Sequence, residues 1–100
     1  MRLEWSILAQ NDRDEIFSYI ESDSPRAAVA TDDSIREQVE VLLQFPELGR
    51  PGRVEGTREL VISRTPYIAA YRIKGRVVRI LRVLHAARRW PEDMSEGAPE

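Results

Sequence analysis

One histidine, ten arginines between positions 50 and 89, and no cysteine define the chemistry open to this chain. His85 is the side chain whose ordinary titration lies nearest neutrality, so it is the natural acid–base candidate. It follows an apolar strand-like run and precedes Ala86-Ala87-Arg88-Arg89-Trp90-Pro91, a position equally suited to a residue that closes a strand end. No Ser-His-Asp set or carboxylate pair accompanies it. The absent cysteines exclude thiol nucleophiles and thiolate metal sites, and a lone histidine excludes a multi-histidine cage, so no metal and no organic cofactor is expected.

The second chemical feature is charge. The formal net charge is only −2, but it is a cancellation. Residues 1–49 carry 4 bases and 11 acids, residues 50–91 carry 11 bases and 2 acids, and residues 92–100 carry 4 acids, giving −7, +9 and −4. Guanidinium groups suit phosphate and carboxylate through a planar, two-pronged donor edge. Arg50, Arg53, Arg58, Arg64, Arg79, Arg82, Arg88 and Arg89, with Trp90, are therefore the candidate binding set for a polyanion or an acidic protein. The alternative is solvated heads that protect strand edges. Trp5, Tyr67, Tyr71 and Trp90 could stack on bases or fill a core. Gly49-Arg50-Pro51-Gly52 could offer backbone N–H groups to an anion or form a rigid turn.

The elements that must position these groups follow from periodicity. Leu3, Trp5 and Ile7 alternate with polar residues, as in a short strand. Ala9, Ile16 and Ile20 then fall on one helical face, with Asp12, Asp14 and Glu15 read near the helix's positive end. Ser24-Pro25 combines a good N-cap with a proline where the helix needs no N–H, opening a second helix to about Phe45. Residues 46–57 read as a loop, and 58–62, 67–73 and 76–85 as strands, the last two joined at Lys74-Gly75. In the last strand, simple alternation gives Arg79 and His85 one parity. The order β-α-α-β-β-β predicts an α+β domain: an antiparallel sheet with a helical hairpin packed on one face. One domain with a single modest core is expected over 1–91, followed by an acidic, disordered tail over 92–100. No apolar run is long enough to cross a membrane, and the start has no signal-peptide character, which predicts a soluble, cytoplasmic protein.

Several segments carry a resemblance to a known group. They are Trp5 before a helix with Asp14, Ile16, Tyr19 and Ile20; Pro25 with Ala27-Ala28; Phe45-Pro46-Glu47-Leu48-Gly49-Arg50-Pro51-Gly52-Arg53-Val54; Gly56-Thr57-Arg58-Glu59-Leu60-Val61-Ile62; Thr65-Pro66-Tyr67-Ile68; and Ile80-Leu81-Arg82-Val83-Leu84-His85. Together they resemble the RelE/ParE superfamily of type II toxin–antitoxin toxins, in the plasmid-stabilisation branch. The resemblance implies a growth-arresting toxin held in a hetero-oligomer by a cognate antitoxin. It also implies one of two targets: ParE-like members poison DNA gyrase and are not enzymes, whereas RelE-like members enter the ribosome and cut mRNA as endoribonucleases.

Cutting the RNA bond requires a base for the 2′-OH, a cation for the phosphate and an acid for the leaving oxygen. If the chain were RelE-like, His85, Arg82 and Arg58 would be its catalytic residues, with Arg64 a further cation. The RelE pattern, however, places an arginine where Ile68 stands and basic residues where Glu59 and Val61 stand. His85 lies in a Val-Leu-His segment that both branches share. These departures favour the ParE-like reading.

Overall fold

In a computed structural model, residues 1–92 and 94 are described. The elements are β1 (Arg2–Trp5), α1 (Ile7–Glu21), α2 (Pro25–Glu40) with a 3-10 turn at Val41–Leu43, β2 (Arg50–Pro51), β3 (Arg58–Val61), β4 (Tyr67–Lys74) and β5 (Val77–His85). They build one five-stranded sheet in the order β1-β5-β4-β3-β2, covered on one face by the α1–α2 hairpin. The α+β class and the helical hairpin agree with expectation. The sheet is mixed rather than wholly antiparallel, because β1 runs parallel to β5 at one edge. A parallel neighbour requires a long connection, and the helical hairpin begins such a path back to the sheet.

Helix α1 begins two residues earlier than the alternation suggests. Ser6 is buried; its Oγ accepts from the Ala9 N–H at 3.0 Å and donates to the Leu81 carbonyl at 2.9 Å. One hydroxyl thus caps the helix and fastens it to the edge of β5. The shift places Asp12, Asp14 and Glu15 beyond the first turn, so they do not serve the helix dipole there. Helix α2 starts as its chemistry dictates, with Ser24 Oγ accepting from the Ala27 N–H at 3.2 Å and Pro25 in the first turn. Its buried stripe of Ala28, Ile35 and Val39 continues into Leu42.

The main core lies between the hairpin and the sheet: Ala9, Ile35, Val39, Leu42, Leu60, Ile62, Tyr67, Ala69, Tyr71, Val78, Ile80 and Val83. Ile80 and Val83 reach the same face because of a bulge. Ala70 pairs with Arg82 and Tyr71 with Ile80, leaving Leu81 as an extra residue on β5. The bulge also separates residues that simple alternation places together. Arg79, opposite Arg72, faces away from the helices, whereas His85, opposite Tyr67, faces them.

Away from the helices a small second cluster forms, in keeping with a last strand that is apolar on both faces. Val54, Leu84 and Trp90 pack around Ala70, Leu81 and Met94. The chain after β5 therefore turns back over the sheet as a strap. Apart from Glu92 and the buried Met94, the acidic tail expected over 92–100 lies outside the described residues. No described helix is long and apolar enough to cross a membrane.

Candidate functional site

The loop expected over 46–57 contains a two-residue strand, β2, and is rigid. Arg50 pairs with Glu59, and Pro51 with Arg58, in an antiparallel ladder. The Tyr71 hydroxyl donates to the Pro46 carbonyl at 2.7 Å and accepts from the Gly49 N–H at 2.9 Å. A Cβ on Gly49 would meet Tyr71 side-chain atoms at 2.7 Å, so glycine is needed for this close approach. The Gly52 N–H donates to the Thr57 carbonyl at 2.8 Å. These N–H groups are occupied within the protein and are not available to an external anion.

The anion that this loop does hold is internal. Glu59 is 3% exposed and was not expected to be a structural hub. It accepts from the Arg53 N–H at 2.8 Å, from Arg53 Nε at 3.1 Å and from the Arg50 guanidinium at 3.1 Å. Burial by itself would raise its pKa. Hydrogen bonds from the Arg53 backbone, the Arg53 side chain and Arg50 outweigh that effect and hold the carboxyl below its ordinary value. Arg53 also lies over the Trp90 ring, with its guanidinium carbon 3.6 Å from the ring centroid. Arg50, Arg53 and Trp90 from the candidate binding set thus converge, joined by Glu59, and bind loop and strap to the sheet.

Of the three candidate catalytic residues, Arg82 and His85 line one cleft, but Arg58 does not join them. Arg58 lies opposite Tyr71, and His85 opposite Tyr67. Those tyrosines are four residues apart on β4, which is about 13 Å at the rise of an extended strand. Arg58 donates to the Gly49 carbonyl at 2.8 Å and sits 3.7 Å from the Glu47 carboxylate. Arg82 is gripped by Asp12 through Nε at 2.7 Å and Nη2 at 2.9 Å, an arrangement that raises the Arg82 pKa. Asp12 also accepts the Val83 N–H at 2.9 Å and so closes the edge of β5 beyond the end of β1. Only the first turn of a helix seemed to need an acid at Asp12, so this long-range role was missed.

His85 is similarly engaged. Its Nδ1 accepts from the Ala87 N–H at 3.1 Å. Its carbonyl accepts from the Arg88 N–H at 3.1 Å and from the Trp90 indole N–H at 3.1 Å. With Nδ1 used as an acceptor, the neutral ring carries its proton on Nε2. In that tautomer Nε2 is a hydrogen-bond donor, not a general base. The contacts fit the strand-closing role, with His85 organising the turn into the strap.

Of the remaining candidates, Arg79 donates to Glu4 at 2.8 Å. Arg64 is exposed in the β3–β4 turn, with φ 69°. Arg88 and Arg89 are exposed beside His85 in a cleft of about 610 Å³ between α1 and the end of the β4–β5 hairpin. The basic block is therefore partly neutralised: Arg50 and Arg53 by Glu59, Arg58 by Glu47, Arg79 by Glu4 and Arg82 by Asp12. Arg72, Lys74 and Arg76 lie toward one end of the β4–β5 hairpin, and Arg64, Arg88 and Arg89 toward the other. The bases do not form one continuous face.

A helical hairpin on a five-stranded mixed sheet is the fold of the RelE/ParE toxin superfamily. Residues 3–90 match the family of the ParE toxin of the type II toxin–antitoxin system parDE, and the chain belongs to that family. It is 46% identical over 91 residues to Y4kP of Sinorhizobium fredii (strain NBRC 101917 / NGR234), covering 91% of this chain and 94% of that protein. It is 34% identical over 84 residues to Toxin RelE2 of Caulobacter vibrioides, covering 84% of this chain and 93% of that protein. Among solved structures, a chain of the chromosomal ParDE TA system from P. aeruginosa superposes with a TM-score of 0.77 at 35% identity, covering 85% of this chain and 95% of that chain. The protein is a type II toxin of the ParE kind, and its class implies an antitoxin partner.

Proposed function

We propose that this toxin arrests growth in the cytoplasm by binding DNA gyrase, and that a cognate antitoxin holds it inactive in a hetero-oligomer. The observation that carries the choice of target is the sheet face away from the helices. Glu59, Val61 and Ile68 share this face, with Val61 opposite Ile68. These are the positions at which the mRNA-cutting branch carries cations. Glu59 is an acid already saturated by Arg50 and Arg53, and Ile68 is buried. The adjoining surface is roofed by Val54, Trp90 and Met94. At these three positions the face offers a phosphodiester no cation. The separation of Arg58 from His85, the pairing of Arg82 with Asp12 and the engaged Nδ1 of His85 support the same choice.

The test is a supercoiling assay with purified toxin and gyrase, run beside mRNA cleavage mapping on translating ribosomes. Loss of supercoiling with intact mRNA is the expected result. Normal supercoiling at excess toxin, together with cleaved mRNA, would reverse the assignment.

A further inference from the structure

The strap after β5 has a direction, and it leads to an unsatisfied cation. Trp90 donates its indole N–H to the His85 carbonyl, at the end of β5. Met94 lies with Ala70 and Leu81, nearer the middle of the β4–β5 hairpin. Between these two anchors the chain travels over the sheet face away from the helices, toward the Gly75 turn. Two residues beyond Ala70 on that face of β4 stands Arg72, directly opposite Arg79 on β5. Like charges so placed repel. Glu4 is already shared, accepting from Arg79 at 2.8 Å and from Arg2 at 2.8 Å. Arg72 Nε is buried with no hydrogen-bond partner, and among the described residues no carboxylate pairs with this guanidinium. A buried donor left unpaired is costly. Lys74 and Arg76, exposed toward the turn, extend the cationic patch.

The chain carries its own counter-charge. After Met94 come Ser-Glu-Gly-Ala-Pro-Glu, with acids at Glu96 and Glu100 and no base. The spacing matches the patch. Glu96 is two residues past Met94, and Arg72 is two residues past the Ala70 that Met94 covers; each step spans about 7 Å of extended chain. Glu100, six residues past Met94, can reach up to about 20 Å, enough for Lys74 or Arg76. Because Met94 is buried, the encounter is intramolecular and its effective concentration is high. We propose that residues 95–100 dock along the β4–β5 hairpin, with the Glu96 carboxylate on Arg72 beside Arg79 and Glu100 near Lys74 and Arg76. The segment is thus an internal ligand in place of the disordered tail expected from sequence. It fills a carboxylate site and withholds the cationic patch from acidic partners. The proposal stands whichever target the toxin has.

The test is paramagnetic relaxation in the full chain, purified free of antitoxin. The sequence has no cysteine, so Ala98→Cys takes a single nitroxide label. The amides of Arg72, Ile73, Lys74, Val77 and Arg79 should lose intensity, and that of Arg26 on α2 should not. The losses should shrink when salt cuts the screening length to about 3 Å at 1 M. Glu96→Gln/Glu100→Gln, which leaves every residue of the sheet unchanged, should abolish them. Weak loss spread evenly over the chain, or loss centred on Arg88 and Arg89, would overturn the proposal. Isotope-labelled chain mixed with nitroxide-bearing chain should show no loss; loss there would overturn the internal assignment in favour of a second copy. Masking is read with hexaglutamate as probe. Glu96→Gln/Glu100→Gln should bind it about fivefold more tightly than the parent, the worth of two exposed ion pairs. Unchanged affinity would overturn the masking role.

Discussion

Arg53 stacks on Trp90 while its Nε donates to Glu59, so one side chain joins the loop, the sheet and the C-terminal strap. The guanidinium edge is used for hydrogen bonding and its face for the indole, a division that lysine cannot reproduce. Arg53→Lys should therefore destabilise the fold by about 1 kcal/mol even though the charge is kept. Trp90→Ala should cost about 2 kcal/mol through lost burial and lost stacking. In denaturant unfolding, the double variant should lose less than the sum, with a coupling of about 0.5–2 kcal/mol. Strict additivity would mean that the stacked pair contributes nothing to holding the strap.

Glu59 should make stability depend on acid in a defined direction. Its folded carboxyl titrates below the ordinary value of 4.5. The unfolded chain therefore takes up this proton first as pH falls. The stabilisation is complete above the ordinary value and is lost as pH drops through the lowered folded value. Glu59→Gln removes the titration and leaves Arg50 and Arg53 facing an amide, at a cost of about 1–3 kcal/mol at neutral pH. Thermal melts of parent and variant should differ most near pH 7 and draw together in acid. A gap that stays constant down to low pH would remove Glu59 as the source of the dependence.

What was legible in the sequence was local. Ser24-Pro25 starts a helix through hydroxyl capping and a fixed φ, both of which act within one turn. Gly75 adopts φ 60° in the β4–β5 hairpin, as a tight turn demands, although the two-residue turn is Gly75-Arg76 rather than Lys74-Gly75. What was not legible depends on partners distant in the chain. Ile7 continues the alternation of Leu3 and Trp5, yet it is 40% exposed as the first residue of α1, because Ser6 finds its hydrogen bonds on β5. The bulge at Leu81 lies in a run that is apolar on both faces, so periodicity cannot register the slip. For the candidate site, residue types identified which arginines were present. Which of them remain unpaired depends on where Asp12, Glu47, Glu59 and Glu4 fall in three dimensions.

Asp12 should behave as a fastening between helix and sheet. Removing its carboxylate leaves the Val83 N–H and the Arg82 guanidinium without an acceptor at a largely buried position. Asp12→Ala should cost about 3 kcal/mol, and Asp12→Asn about half as much, since the amide oxygen can still accept one of these bonds. Hydrogen exchange should localise the change: the Val83 amide should lose protection in Asp12→Ala before amides in the middle of β4 do. If both variants melt like the parent, the edge of β5 is held by packing alone.

His85 gives the sharpest separation between a structural and a chemical role. As an acceptor for the Ala87 N–H, it needs only an atom with a lone pair at the Nδ1 position. Asparagine places its amide oxygen near that position, whereas alanine places nothing there. His85→Asn should therefore retain most of the parent's stability and growth arrest. His85→Ala should lose about 1 kcal/mol and loosen the turn into the strap, weakening the Trp90 contact through the shared His85 carbonyl. A catalytic acid–base histidine predicts a different pattern, because asparagine cannot exchange a proton near neutrality and both variants would abolish toxicity alike. Growth arrest on induction, scored with Trp90 fluorescence as a report on the strap, distinguishes the two. Trp5 can be replaced by phenylalanine so that Trp90 is the only tryptophan, since the sequence contains two. Toxicity that follows the strap signal across parent, asparagine and alanine would place His85 among the residues that shape the binding surface. Toxicity lost in His85→Asn while the strap signal stays parent-like would restore it as a reacting group.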